Sequence, residues 1–220
     1  MSKEVFKLKS AWIFDLDNTL YSPKSKIFDQ IDIRMKKFIS KKLNISLEEA
    51  FKVQKLYYHK YGTTLYGLMQ NHSLEPDEFL DFVHDINFKN LKKSKLLKKK
   101  LDSLPGMKLI YTNGDETYAK KILKTLDIYE SFEEIFDIRK ANFLPKPKLK
   151  PLKTLIDKYN LNPENIVYFE DLKKNLLTAH KIGITTILIS DSAEKTNYEP
   201  FINFRFRTIN GALDMIKKFI

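Results

Sequence analysis

The chain has 220 residues, 43% of them apolar, and a formal net charge of +11. It contains no cysteine, which excludes disulfides and thiolate metal sites. Its apolar runs are too short to cross a bilayer or to form a signal peptide, so we expect a cytoplasmic protein. The length suits one α/β domain with a smaller insertion.

The positive charge comes almost entirely from lysine, because arginine occurs only at Arg34, Arg139, Arg205 and Arg207. Proteins that read nucleic acids usually rely on arginine forks and stacked aromatic rings. A non-enzymatic basic nucleic-acid-binding protein is therefore an alternative that the composition disfavours. A small phosphorylated substrate would benefit from the same positive field.

Apolar residues 11–14 predict a buried strand, and a helical segment follows at 25–87. After it, strands and helices alternate, which predicts a doubly wound parallel sheet. We therefore assign residues 1–20 and 91–220 to an α/β core and residues 21–90 to a helical cap. The elements expected after the cap are helices at 91–104, 117–126, 149–159, 173–182 and from Gly211 onward, and strands at 107–111, 135–138, 166–169, 184–189 and 204–208.

Two aspartates, Asp15 and Asp17, directly follow the first strand. Ligands of doubly wound sheets bind beyond the carboxyl ends of the strands, and residues two apart in extended chain point the same way. Two neighbouring carboxylates repel, so one tends to hold a proton. The pair can supply an ionised nucleophile and a protonated acid, or it can be a strand-end cap and a turn residue.

Two further segments offer groups suited to a phosphate. Thr112 and Asn113 follow the strand at 107–111 with a glycine after them, and a hydroxyl with exposed backbone N–H groups can bind phosphate oxygens. The same residues could form an ordinary turn. Lys146 stands between two prolines that hold its backbone rigid, which favours it over Lys148, Lys150 and Lys153 as the cation of the site.

A second acidic pair, Glu170 and Asp171, follows the strand at 166–169. Beside Asp15 and Asp17 it would be strongly repulsive without a cation, and oxygen ligands without histidine or cysteine suggest Mg²⁺. We expect Asp171 to bind the metal directly and Glu170 to act through water. The other reading makes Asp171 the N-cap of the next helix.

The pattern of a buried strand followed by D-x-D-x-T, then Thr112, Lys146-Pro147 and the Glu170-Asp171 pair with Asn175, resembles the haloacid dehalogenase (HAD) superfamily. The resemblance implies a HAD-like Rossmannoid core with an inserted helical cap of the C1 type. It also implies Asp15 as nucleophile, Asp17 as acid and base, and Thr112, Asn113 and Lys146 as phosphate-binding groups. Mg²⁺ would be held by the ligand set Asp15, Asp17, Glu170 and Asp171.

The cap stretch 58–68 resembles the pyrimidine 5′-nucleotidase branch of that superfamily. We therefore predict an Mg²⁺-dependent phosphatase of nucleoside monophosphates. Tyr58, Tyr61 and Thr64 are spaced by three, so we expect them to share one helix face that reads the nucleoside. The alternatives are an aromatic packing face, and a phosphatase or mutase of a sugar phosphate or another small metabolite. We expect the histidines of the cap to be surface or packing residues.

Overall fold

Six parallel strands form one sheet in the computed structural model, which describes residues 3–192 and 198–220. The strand order is β3-β2-β1-β4-β5-β6, so the chain winds outward in both directions from the first strand. This arrangement confirms the predicted doubly wound parallel sheet. The strands are β1 (Ala11–Phe14), β2 (Met107–Tyr111), β3 (Glu134–Phe136), β4 (Ile166–Glu170), β5 (Thr185–Ile189) and β6 (Phe204–Phe206).

Nine α-helices lie within the described residues, and the first four form the insertion between β1 and the rest of the sheet. They contact one another more than they contact the sheet, as expected for a cap. The division at residues 21–90 stays a prediction. The helices are α1 (Ile27–Leu43), α2 (Leu47–Tyr61), α3 (Thr64–His72), α4 (Pro76–His84), α5 (Lys95–Asp102), α6 (Glu116–Leu126), α7 (Leu149–Lys158), α8 (Lys173–His180) and α9 (Ile209–Ile216).

Strand β1 lies at the centre of the core, and all four of its residues are buried. It pairs in parallel with β2 and β4, and its side chains alternate between the apolar layers on the two faces of the sheet. Phe14 stacks on Phe169 of β4 with ring centroids 4.5 Å apart. The carboxyl ends of β1, β2 and β4 consequently lie side by side.

Several element ends differ from the sequence prediction because polar side chains set them. Helix α5 begins at Lys95 instead of 91, since Ser94 accepts a hydrogen bond from the backbone of Leu97 at 3.3 Å and caps the helix. Helix α9 begins two residues before Gly211, because Thr208 caps it in the same way. No helix within the described ranges is both long and apolar enough to span a bilayer.

Glu134, the first residue of β3, contacts three polar side chains of its neighbours. Burial raises the pKa of Glu134, but hydrogen bonds from Lys158, Tyr159 and Lys140 outweigh it and lower the pKa to about 2. A lowered pKa means that the ionised form stabilises the fold. That stabilisation is present above the ordinary pKa near 4.5 and is lost as the pH falls toward 2.

We expect Glu134→Gln to lower the free energy of unfolding by about 1–3 kcal/mol at pH 7, since it removes charged hydrogen-bond acceptors. The difference from wild type should shrink as the pH falls from about 4.5 toward 2, because protonation then removes the same charge from the wild-type chain. Urea unfolding at a series of pH values measures it, with Glu130→Gln at an exposed position as the control. A difference that is constant with pH would contradict the assignment.

Candidate active site

Asp15 lies buried at the carboxyl end of β1, where three other parts of the chain contact it. Its backbone N–H donates to the carbonyl of Phe169 in β4 at 2.9 Å. Its Oδ2 accepts a hydrogen bond from Thr19 at 2.8 Å, and its Oδ1 accepts one from Lys146 at 2.6 Å. The protein therefore orients both carboxylate oxygens.

Lys146 reaches Asp15 from the loop that follows β3, and its side chain is almost fully buried at 3% exposure. Its Nζ also donates to Glu170 at 2.9 Å and to the carbonyl of Tyr111 at 3.0 Å. Burial lowers the pKa of Lys146, but the carboxylates of Asp15 and Glu170 outweigh it and raise the pKa, so the ammonium stays charged. The competing lysines of this segment are all exposed, namely Lys148, Lys150 and Lys153.

Glu170 ends β4 with both carboxylate oxygens occupied. Oε1 accepts hydrogen bonds from the backbone N–H groups of Asp171 and Leu172 at 3.2 and 3.1 Å. Oε2 accepts from the Tyr168 hydroxyl at 2.6 Å and from Lys146 at 2.9 Å. Burial raises the pKa of Glu170, but Lys146 and these donors lower it overall. Glu170 and Lys146 therefore form a buried, hydrogen-bonded ion pair at the end of β4.

Asp171 differs from Glu170 because its carboxyl group lies against like charges. Burial and the carboxylates of Glu170 and Asp15 raise its pKa to about 10. Oxygen atoms of Asp15, Glu170 and Asp171 lie within 4.8 Å of one another, a donor set that fits a hard divalent cation. The cap of helix α8 is Leu172 without a side-chain hydrogen bond, so Asp171 does not serve as the N-cap.

Thr112 and Asn113 form the neighbouring wall of the site, at the end of β2. The Thr112 hydroxyl is buried and accepts a hydrogen bond from the Gly114 N–H at 3.0 Å. Asn113 Oδ1 accepts from the backbone N–H of Lys146 at 2.9 Å, so it ties this loop to the one that carries the ammonium. Thr112, Asn113 and Lys146 line the same cavity as Asp15.

Asp17 faces a different set of groups. Its Oδ1 accepts hydrogen bonds from the hydroxyls of Tyr118, at 2.6 Å, and of Tyr21. Burial raises the pKa of Asp17, and these two hydrogen bonds oppose the increase. The cluster of potential metal ligands does not include Asp17, the fourth acidic residue that the sequence predicts as a ligand, because its carboxylate is turned toward the two tyrosines.

The cap helices and the strand ends enclose a cavity of about 250 Å³. Asp15, Asp17 and Lys146 lie at its base. Its cap wall is mostly apolar, with a few polar groups. The residues of that wall include Phe28, Ile31, Asp32, Met35, Gln54, Tyr58, Thr64, Leu65, Phe79, Leu80 and Val83.

The prediction that Tyr58, Tyr61 and Thr64 share one helix face is wrong. Helix α2 ends at Tyr61, Gly62 turns the chain with a φ of 96°, and Thr64 begins helix α3. Tyr58 and Thr64 line the cavity, whereas the Tyr61 hydroxyl donates to Asn71 at 3.2 Å and Tyr61 is not a lining residue. A helical spacing of three cannot extend across a glycine in the left-handed region.

Gly62 also brings the cap close to the loop of Lys146. A Cβ atom at this glycine would lie 3.3 Å from the carbonyl oxygen of Lys146 and 3.3 Å from the ring of Pro145. The end of α2 therefore packs directly on the loop that supplies the ammonium.

Sequence reasoning missed several residues of the site. Tyr118 contacts Asp17, and the ring of His84 from the cap stacks on Tyr118 with centroids 4.2 Å apart. Gln54 is 2% exposed and donates from Nε2 to Asp32 at 2.9 Å. Lys174 lies 4.0 Å from the ring centre of Tyr58. None of these pairs has a sequence signal, since each joins distant segments or different helices.

The profile of the haloacid dehalogenase-like hydrolases matches residues 12–189, a range that runs from the second residue of β1 to the end of β5 and includes the whole acidic site. The chain belongs to this family. Membership accounts for the order of the four segments at the strand ends, and it identifies the protein as a HAD-type hydrolase.

Three known proteins are similar to this HAD hydrolase. Phosphate metabolism protein 8 of Saccharomyces cerevisiae is 25% identical over 202 residues, which are 82% of this chain and 61% of that protein. The structure of a HAD phosphatase from Thermococcus onnurineus has a TM-score of 0.64 at 19% identity, over 95% of this chain and 96% of that one. The magnesium-bound HAD-hydrolase YfnB of Bacillus subtilis has a TM-score of 0.62 at 13% identity, over 94% and 98% of the two chains.

The donor set predicts that Mg²⁺ stabilises the HAD fold through Asp171. At a concentration of about a hundred times Kd, a bound ion adds about 2.7 kcal/mol, which raises the melting temperature of a chain of this size by roughly 5–10 °C. We expect Asp171→Asn to lose most of this increase, because the amide cannot release a proton and bind the cation as a carboxylate. Thermal unfolding with and without Mg²⁺ measures it.

Asp157→Asn, at an exposed position of α7, is the control and should respond to Mg²⁺ like wild type. An equal Mg²⁺ response in the Asp171 variant would place the cation elsewhere.

Proposed function

We propose that this HAD hydrolase is a phosphomonoester hydrolase that acts through an aspartyl-phosphate, with a nucleoside monophosphate as its substrate. The observation that carries the proposal is the contrast between two aspartates of one short loop. Asp15 contacts the ammonium of Lys146, whereas Asp17 contacts two tyrosine hydroxyls. Two carboxyl groups in different environments suit the roles of nucleophile and acid–base group.

In the first half-reaction, Asp15 attacks phosphorus and the bond to the leaving oxygen breaks. Asp17 donates its proton to that oxygen as it leaves. Lys146 and the Thr112 hydroxyl lie in the same cavity and can stabilise the negative charge on the phosphoryl oxygens. Mg²⁺ held by Asp15 and Asp171 would add positive charge at the same place, and the magnesium bound to YfnB supports this choice of ion.

In the second half-reaction, Asp17 accepts a proton from a water molecule that attacks the aspartyl-phosphate. The bond between phosphorus and Asp15 breaks, and inorganic phosphate leaves. The cap covers the base of the cavity, which limits the access of other water molecules.

Other activities of the superfamily are alternatives to a nucleotidase, and the residues at the strand ends exclude only some of them. Dehalogenases of the superfamily lack an acid at the position of Asp17, so its presence favours phosphoryl chemistry. A sugar-phosphate phosphatase or a mutase would need the same residues at the strand ends. The distinction between these activities therefore depends on the cap, which contacts the leaving group. This chain covers 61% of Phosphate metabolism protein 8 of yeast, so only the link to phosphate in the name of that protein supports the proposal.

The cap wall supports a leaving group with both an apolar ring and polar edges. Tyr58 lines the cavity with Gln54 and Asp32, and apolar side chains of α1, α3 and α4 form most of the rest of the wall. An aromatic ring can stack on a nucleobase, while an amide and a carboxylate can hydrogen-bond its edge or the sugar hydroxyls. A nucleoside fits this combination better than a small sugar does.

We expect Asp15→Asn to reduce phosphatase turnover by about 10⁴-fold or more, because an amide cannot form the phosphoenzyme. Steady-state kinetics on a phosphomonoester measure the loss, and intact-mass spectrometry after an acid quench should detect no phosphoryl adduct. Asp157→Asn is the control for loss of a surface charge. A variant that keeps its fold and nearly the wild-type rate would exclude Asp15 as the nucleophile.

We expect Tyr58→Ala to lower kcat/KM for a nucleoside monophosphate by roughly ten- to a hundredfold, the range of one lost base stack. Turnover of p-nitrophenyl phosphate should change much less, because that ester carries no nucleobase for Tyr58 to recognise. Tyr61→Ala is the matched control, since it lies three residues along the same helix but outside the cavity. Equal losses for both esters would mean that Tyr58 only packs the cap.

A further inference from the structure

Two tyrosines from different parts of the chain converge on one oxygen of Asp17. Tyr21 follows Asp17 by four residues, whereas Tyr118 belongs to α6. Their hydroxyls lie 3.5 Å apart, and both donate to Oδ1. Because Oδ1 is occupied by two donors, Oδ2 is the oxygen of Asp17 that can exchange a proton with a ligand.

The position of Tyr118 is set from two sides. On the core side, Asp115 caps α6 by accepting a hydrogen bond from the backbone N–H of Tyr118 at 2.7 Å. A Cβ atom at Gly114 would lie 2.9 Å from the Tyr118 ring, so the glycine leaves the ring its space. On the cap side, His84 stacks on the ring with an interplanar angle of 8°.

His84 also reaches the core through its ring nitrogen. Its Nδ1 lies 3.2 Å from Oδ2 of Asp115, the residue that caps α6. His84, the last residue of α4 in the cap, is therefore in contact with both Tyr118 and Asp115. Successive contacts thus connect the cap with Asp17: His84 stacks on Tyr118, and the Tyr118 hydroxyl donates to Oδ1 of Asp17.

We propose that Tyr118 and Tyr21 are positioning residues that hold Asp17 with Oδ2 toward the substrate, and that His84 makes this arrangement depend on the position of the cap. The proposal rests on the proposed function of Asp17 as acid and base. When the bond between phosphorus and the leaving oxygen breaks, the proton moves from Oδ2 to that oxygen. When water attacks the phosphoenzyme, Oδ2 accepts a proton from that water, and the tyrosines keep their protons throughout.

The first test is the dependence of kcat/KM on the leaving group in Tyr118→Phe. This variant loses the hydroxyl but keeps the ring on which His84 stacks. We expect kcat/KM for an alkyl ester such as a nucleoside monophosphate to fall by about ten- to a hundredfold, part of the usual gain from general acid catalysis. For p-nitrophenyl phosphate the decrease should stay below about threefold, because nitrophenolate leaves without a proton.

Tyr21→Phe should show the same selectivity, and the double variant should exceed either single one. Tyr159→Phe is the matched control, because Tyr159 also donates to a carboxylate, Glu134, but lies outside the cavity. It should leave both esters unchanged. Equal losses on both esters in Tyr118→Phe would show a merely structural role and overturn the proposal.

The second test concerns the cap. We expect His84→Ala to reproduce the selective loss on the alkyl ester, while His84→Phe, which keeps a flat ring over Tyr118, retains most of the activity. Equal kinetics of the two variants would overturn the part of the proposal that assigns coupling to the stacked ring.

The third test does not need turnover. In a double-mutant cycle of Asp17→Asn and Tyr118→Phe, followed by urea unfolding, we expect the unfolding constants to be coupled by about tenfold or more, as for a hydrogen bond to a charged group. Absence of coupling would overturn the positioning role whatever the kinetics. Coupling in a protein that hydrolyses none of the esters would overturn the proposed function and leave the positioning role intact.

Discussion

The site depends on one buried ammonium group placed among three carboxyl groups. Lys146 contacts Asp15 and Glu170, and Asp171 lies beside both acids. Buried charges are costly unless they are paired and hydrogen-bonded, and removal of one partner leaves the other uncompensated. This explains why so many hydrogen bonds fix the ammonium and its partners. The carboxyl group of Asp171 lies beside both of these acids, which raises its pKa, so its ionised form calls for a divalent cation at this place.

The parallel sheet makes this concentration of charge possible. Strands β1 and β4 are hydrogen-bonded neighbours, so acids that follow each of them are brought within a few ångströms of one another. The two aspartates of the first loop nevertheless bond different groups. Strand β1 ends at Phe14, so both aspartates lie in the loop beyond it, where the alternation of an extended strand no longer applies. In this loop the carboxylate of Asp15 bonds an ammonium group, whereas that of Asp17 bonds two tyrosine hydroxyls.

Local patterns predicted the carboxyl ends of β1, β2, β4 and β5 to within one residue, because each signal is a short apolar run followed at once by polar residues, but they placed the ends of β3 and β6 two residues too late. The parallel, doubly wound character of the sheet followed from the alternation of strands and helices, whereas the order of its strands did not. What stayed hidden depends on distant contacts. Nothing near Tyr118 indicates that its hydroxyl meets Asp17, and nothing in the cap indicates that Gln54 is buried or that His84 stacks on Tyr118. The break between α2 and α3 has a different explanation. The spacing of three from Tyr58 to Thr64 is typical of one continuous helix, but Gly62 lies within that stretch and ends the helix.

The glycine at position 62 has a consequence for how such enzymes diverge. The turn after α2 lies so close to the loop of Lys146 that a side chain there would require the neighbouring atoms to shift by a few tenths of an ångström, and its φ of 96° disfavours residues other than glycine. The cap is an insertion, and an insertion is in principle free to be exchanged. In this protein, a cap transferred from another hydrolase would need a glycine at the position of Gly62. New substrate ranges are therefore more accessible through side-chain changes on the cavity wall than through replacement of the whole cap.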